Sequence, residues 1–171
     1  RLNIPMFAHI NHPNFGYGIS TEDLKQLNGE RFFEVYNGHP SVNNQGNDTH
    51  VDTETMWDLV NIHYYKEGKP LLFGIATDDS HRYHSFTSDD SNTGRGWVMV
   101  NAKKLDADHL ISAMESGYFY ASTGVYLEKL YMDQNEIQIV VDPEIGVKYE
   151  IAFMGYQKGA EEVVTLKKVQ G

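Results

Sequence analysis

Leu71-Leu72-Phe73-Gly74-Ile75-Ala76-Thr77 is an uncharged, almost wholly apolar run that stops abruptly at Asp78-Asp79-Ser80-His81. A strand with one wet face alternates apolar and polar side chains. An unbroken apolar run therefore implies a strand covered on both faces, as in parallel sheets flanked by helices. The first two thirds of the chain supply the flanking elements. Ile4 to His9 reads as a short strand broken by the Pro13 and Gly16 turn, and Ser20 to Leu27 as a capped helix ending near Gly29. Arg31 to Tyr36 is aromatic and β-branched, a strand halted by Asn37-Gly38. Between Asp52 and Gly68, Met56, Trp57, Leu59, Val60, His63 and Tyr64 recur at helical intervals, so that Trp57 and Tyr64 belong to a core-facing stripe. Gly96 to Asn101, Asp106 to Gly117 and Phe119 to Thr123 repeat the pattern as strand, helix and strand. The alternation predicts parallel βα units.

The texture changes near Gly124. Leu127 to Met132, Glu136 to Val141, Lys148 to Phe153 and Val163 to Leu166 alternate as exposed strands do, separated by Asp133-Gln134-Asn135, Pro143 and Gly155. Two domains are expected: residues 1–124, built from βα units, and residues 125–171, a small antiparallel β appendage.

Charge and residue content exclude several function classes. A net charge of -10 opposes binding along a phosphate backbone, which relies on Lys and Arg displacing counterions, so no nucleic-acid partner is expected. The absence of cysteine excludes disulfides, thiolate zinc sites and cysteine nucleophiles. No apolar stretch approaches membrane-spanning length. Nucleophile-elbow, phosphate-loop and dinucleotide motifs are lacking. At 171 residues the chain is short for a complete α/β barrel, and it opens on Arg1 rather than Met, which points to part of a larger architecture. The compartment stays open: cytoplasmic, or periplasmic or secreted if a signal peptide has been removed.

Loops at the ends of parallel strands gather chemical side chains. Asp79 and His81, two residues apart, leave one face of an extended segment and are positioned to share an ion. His12 follows the first strand in the same way, and Asn37 and His39 follow the second. Arg95, between Gly94 and Gly96, is placed to meet an anionic substrate. Plainer roles compete with each. His12 is equally a turn residue, Asp78 to Ser80 a cap, Glu34 a paired core carboxylate and Arg95 a solvent-facing cation. His50 and His84 read as surface residues, and His63 and His109 as structural ones. Asn47-Asp48-Thr49 matches a glycosylation tripeptide that is common by chance.

Taken together, Ala8-His9-Ile10-Asn11-His12-Pro13-Asn14, Phe33-Glu34-Val35-Tyr36-Asn37-Gly38, Gly74 to His81, Gly94-Arg95-Gly96-Trp97-Val98-Met99-Val100 and Phe119 to Gly124 resemble the PHP (polymerase and histidinol phosphatase) domain family, in particular the C-terminal half of bacterial PHP phosphoesterase-like proteins. The resemblance spans about Ile4 to Gly124. It implies an α/β fold, the C-terminal part of a distorted (β/α)7 barrel. It also implies zinc, manganese or iron at the strand ends and hydrolysis of a small phosphorylated substrate by metal-activated water. Matched by motif, His12, Asp79 and His81 are metal ligands; Arg95, His39 and Asn37 are additional rim residues. The family's opening His-x-His motif and its early Asp, His and Glu ligands have no counterpart here. The expectation is therefore a phosphoesterase whose activity this chain alone lacks, with a partner or self-association covering the open barrel edge. Amidohydrolase-type attack on C–N bonds uses similar ligands. A different reading is a non-catalytic protein with a degenerate barrel, whose β module recognises carbohydrate or another chain.

Overall fold

A computed structural model describes residues 4–170. It divides into two compact units, Arg1–Thr123 and Gly124–Gly171.

In the first unit, β1 (His9–Ile10), β2 (Phe32–Asn37) and β3 (Phe73–Thr77) form a parallel sheet in that order. The short helix α1 (Thr21–Lys25) is started by a capping box in which Ser20 and Asp23 satisfy each other's backbone N–H groups. The helix α2 (Thr53–Glu67) begins at an Asp52 cap and stops at Gly68, whose φ of 68° is left-handed. Successive β2 residues face opposite sides of the sheet. Phe33 packs with Leu24, Met56, Val60, Tyr64 and Leu72 beneath the two helices, while Phe32 packs with Ile75 and Met114 on the other face. The Tyr64 hydroxyl donates to the Leu24 and Leu27 carbonyls, and the Trp57 indole to that of Leu72. No helix among the described residues is long and apolar enough to cross a membrane.

The barrel expectation is overturned. Parallel pairing ends at three strands, because β4 (Trp97–Val100) and β5 (Phe119–Ser122) pair antiparallel as a separate two-stranded sheet packed against β3. The cause lies at the end of α3 (Ala107–Glu115). Gly117 adopts φ 76°, Tyr118 N–H returns to the Ala113 carbonyl, and Asn101 N–H donates to Tyr118, so the chain re-enters beside the strand it left. The helix thereby acts as the loop of a hairpin rather than as a parallel crossover. Among the described residues there is no closed barrel. The expected Ile4 to His9 strand also shrinks to the two residues of β1.

The second unit consists of two antiparallel hairpins, β6 (Leu127–Met132) with β7 (Ile137–Val141) and β8 (Glu150–Tyr156) with β9 (Val163–Gln170). Residues 124–169 include none that is fully buried, so this unit has no core of its own comparable to the two clusters above.

Candidate functional site

The site lies where the three parallel strands end. Between β2 and β3 the register slips: Glu34 pairs with Ile75 but Tyr36 with Ala76, leaving Val35 as a bulge. In a regular strand, residues three apart face opposite sides. The bulge turns Glu34 and Asn37 toward each other, and Asn37 Nδ2 donates to Glu34 Oε2 at 2.9 Å. Glu34 is 3% exposed and accepts twice more, from the His12 backbone N–H and from the Thr77 hydroxyl, both at 2.5 Å. No cationic side chain forms an ion pair with it among the described residues. The same Asn37 amide reaches Asp79 Oδ2 at 3.2 Å, so one NH2 group joins two carboxylates. Asn37 Oδ1 accepts from the His39 N–H, which fixes the orientation of the amide.

His12 and Asp79 both take left-handed backbone conformations, with φ of 33° and 48°. Such geometry is rare outside glycine and clusters at functional sites. β3 ends at Thr77, so Asp79 and His81 do not share an extended segment. Instead, the chain curls until His81 Nδ1 lies 2.7 Å from the Asp79 carbonyl oxygen. A carbonyl only accepts, so Nδ1 carries the proton and the lone pair of the neutral ring is on Nε2. The other imidazoles differ. His39 Nδ1 accepts from the Ser41 N–H, leaving Nε2–H as a donor, and His12 Nε2 meets the Asn11 amide at 3.0 Å. His39 and His81 stand edge to face with ring centroids 5.4 Å apart.

Arg95 has a different role from the one its sequence context suggests. Its guanidinium donates to the carbonyls of Gly38, Thr87 and Ser88 at 3.0–3.1 Å and reaches Asn92 Oδ1 at 3.5 Å. It ties the loop after β2 to the loop after β3. Its flanking residues fit the same purpose: a Cβ at Gly96 would come within 2.8 Å of the Thr77 carbonyl, and one at Gly38 within 2.7 Å of Arg95 Cβ. Asp78 Oδ1 accepts the backbone N–H groups of Arg95 and Gly96. Burial alone would raise the Asp78 pKa, but these donors, the Gly94 N–H and the Arg95 charge together hold it below the ordinary carboxylate range.

Carboxylate and imidazole donors are the right types for zinc, manganese or iron. Their arrangement is incomplete: among the described residues, no three His, Asp or Glu side chains form a group able to hold a metal ion. Clefts of about 350 and 410 Å³ lie elsewhere, and neither is lined by His12, Glu34, Asn37, His39, Asp79 or His81. No protein-family model, curated protein or solved structure matches this chain. Sequence reading placed His12, Asn37, His39, Asp79 and His81 at one rim but left Glu34 as a core carboxylate. A charge inside an aromatic strand was the available signal, and the bulge that re-aims it has no signature in the alternation.

Proposed function

We propose that this rim serves a metal-dependent phosphoesterase, hydrolysing a small phosphate ester. Bound there, a divalent zinc, manganese or iron ion would polarise the phosphoryl group and supply hydroxide near neutral pH. The observation that carries the reading is the Asp79–His81 turn. A ligating histidine commonly donates its second ring N–H to a carbonyl, and His81 does so from Nδ1, which also lies 3.7 Å from the Asp79 carboxylate, leaving the Nε2 lone pair for an ion. Asp79 and His81 would hold the ion. His12 would join by giving up the exposed Asn11 amide, and Glu34 would contribute negative charge from below. His39 presents Nε2–H as a donor for a substrate oxygen. Arg95 takes no part in this proposal as a phosphate ligand, since both of its terminal guanidinium nitrogens already hold loop carbonyls.

The test is to incubate the protein with Mn2+, Zn2+ or Fe2+, dialyse it, and determine bound metal beside phosphate release from monoesters and diesters, with cyclic amides as the C–N control. The Asp79→Ala, His81→Ala double variant should lose both metal and phosphate release. Unchanged metal content in that variant would sink the proposal. The lack of a three-donor group favours a second reading, a rim that binds without turnover. Ligand retention with no hydrolysis under any metal would support it.

A further inference from the structure

We propose that Asn28 is a self-modification site, at which the Gly29 backbone converts the Asn28 side-chain amide to a carboxylate without an enzyme. The chain carries two Asn-Gly steps, Asn28-Gly29 and Asn37-Gly38. At such a step the glycine nitrogen, once its proton is lost to hydroxide, can attack the asparagine side-chain carbon. A C–N bond forms, ammonia leaves, and a cyclic imide results. Water then opens the imide: breaking the new bond gives aspartate, and breaking the original peptide bond gives isoaspartate. The net change is amide plus water to acid plus ammonia. Glycine favours the attack because no Cβ crowds its nitrogen. The fold treats the two steps in opposite ways. Gly38 N–H donates to the Thr77 carbonyl at 2.8 Å. Asn37 is 2% exposed, and its amide is committed to Glu34, Asp79 and the His39 N–H. Neither group can react without opening the strand end. Asn28 and Gly29 are both exposed, and neither makes a hydrogen bond among the described residues. Gly29 takes φ 107°, and a Cβ there would meet nothing within 4 Å, so the ring has room to close. Hydrogen bonding resumes on either side, where the Leu27 carbonyl accepts from the Tyr64 hydroxyl and the Arg31 carbonyl from the Phe73 N–H. The step is a short unbonded link between held ends. Its conversion places a new negative charge just past the carboxyl end of α1, where the helix dipole opposes it.

Asn37 thus serves as the internal control. The whole chain is held in mildly alkaline buffer, with and without guanidinium chloride, and sampled over time. Tryptic cleavage after Lys25, Arg31 and Lys66 puts Asn28 in the peptide of residues 26–31 and Asn37 in that of residues 32–66. Mass spectrometry reads the gain of the acid in each, and electron-transfer fragmentation tells aspartate from isoaspartate. In the folded chain Asn28 should convert at least about tenfold faster than Asn37, because a buried, hydrogen-bonded site reacts only from its rare open state. In denaturant the two rates should converge. Asn28→Gln, which can close only a larger and slower ring, should abolish the fast conversion while leaving Asn37 as it was. An Asn28 that stays intact in the folded chain overturns the assignment, as does an Asn37 that converts there at the same rate.

Discussion

Replacing Glu34 separates its structural work from its charge. Glu34→Leu keeps the volume but removes the acceptor for three donors: the His12 N–H, the Asn37 amide and the Thr77 hydroxyl. The hydroxyl can rotate toward another acceptor; the other two are fixed by backbone and by the His39 contact. Each buried donor left unmet costs about 1–3 kcal/mol, so with two donors unmet the variant should lose about 2–6 kcal/mol. Glu34→Gln behaves differently. Its carbonyl oxygen can serve His12 and Asn37, while its NH2 faces Thr77, whose hydroxyl oxygen accepts. Weaker neutral hydrogen bonds and the smaller desolvation penalty roughly offset, leaving a change within about 1 kcal/mol. Urea unfolding followed by far-ultraviolet circular dichroism and tryptophan fluorescence reads the difference. With a slope of about 2 kcal/mol/M, the Leu and Gln midpoints should differ by about 1–3 M. Midpoints within about 0.5 M of each other would mean that this network does not hold the strand end, and the account of the site would fail with it.

Two further outcomes are expected. Burial, then the neighbouring Glu54 and Asp52, pushes Asp58 on α2 up to about 6. The folded state therefore binds this proton more tightly than the unfolded chain. Its contribution is full below about pH 4 and is lost as pH rises to about 6, so Asp58→Asn should be the more stable form above pH 6 by about 1–2 kcal/mol after solvent screening. Thermal midpoints that keep the same difference at pH 4 and pH 7 would contradict this. Arg95→Ala should free the loop after β3, seen as severalfold faster tryptic cleavage after Arg82; an unchanged rate would show that the guanidinium contacts do not restrain it.

What the sequence disclosed depended on the range of the interaction involved. The α2 boundaries follow from an Asp cap, helical spacing and a left-handed Gly68, all local, and the expected helix from Asp52 to Gly68 matches Thr53–Glu67 closely. The direction of β5 was not legible, because a strand after a helix has the same residue pattern whether it runs parallel or returns. That choice was made by the tight reversal at Gly117 and Tyr118. At the strand ends, the His12 backbone, Glu34, Asn37 and Asp79 form one hydrogen-bonded group. The same-face argument for Asp79 and His81 assumed an extended backbone that Asp79 does not adopt, and they associate through the backbone carbonyl instead. Glu34 reads from sequence as a paired core carboxylate, which its burial and three hydrogen bonds match; that it meets Asn37 at the strand end follows from one slipped pairing, a tertiary event invisible to period-two counting.

The left-handed backbones of His12 and Asp79 bear on how such a chain responds to laboratory evolution. An L-residue in that region pays a steric penalty of up to about 1–2 kcal/mol, smaller for Asp and Asn, which glycine avoids. A screen for heat resistance alone would accordingly enrich His12→Gly and Asp79→Gly, and its most robust survivors would be the ones stripped of their rim side chains. Thermal selection on this molecule needs a concurrent selection for ligand retention, or it will improve the scaffold by erasing the site.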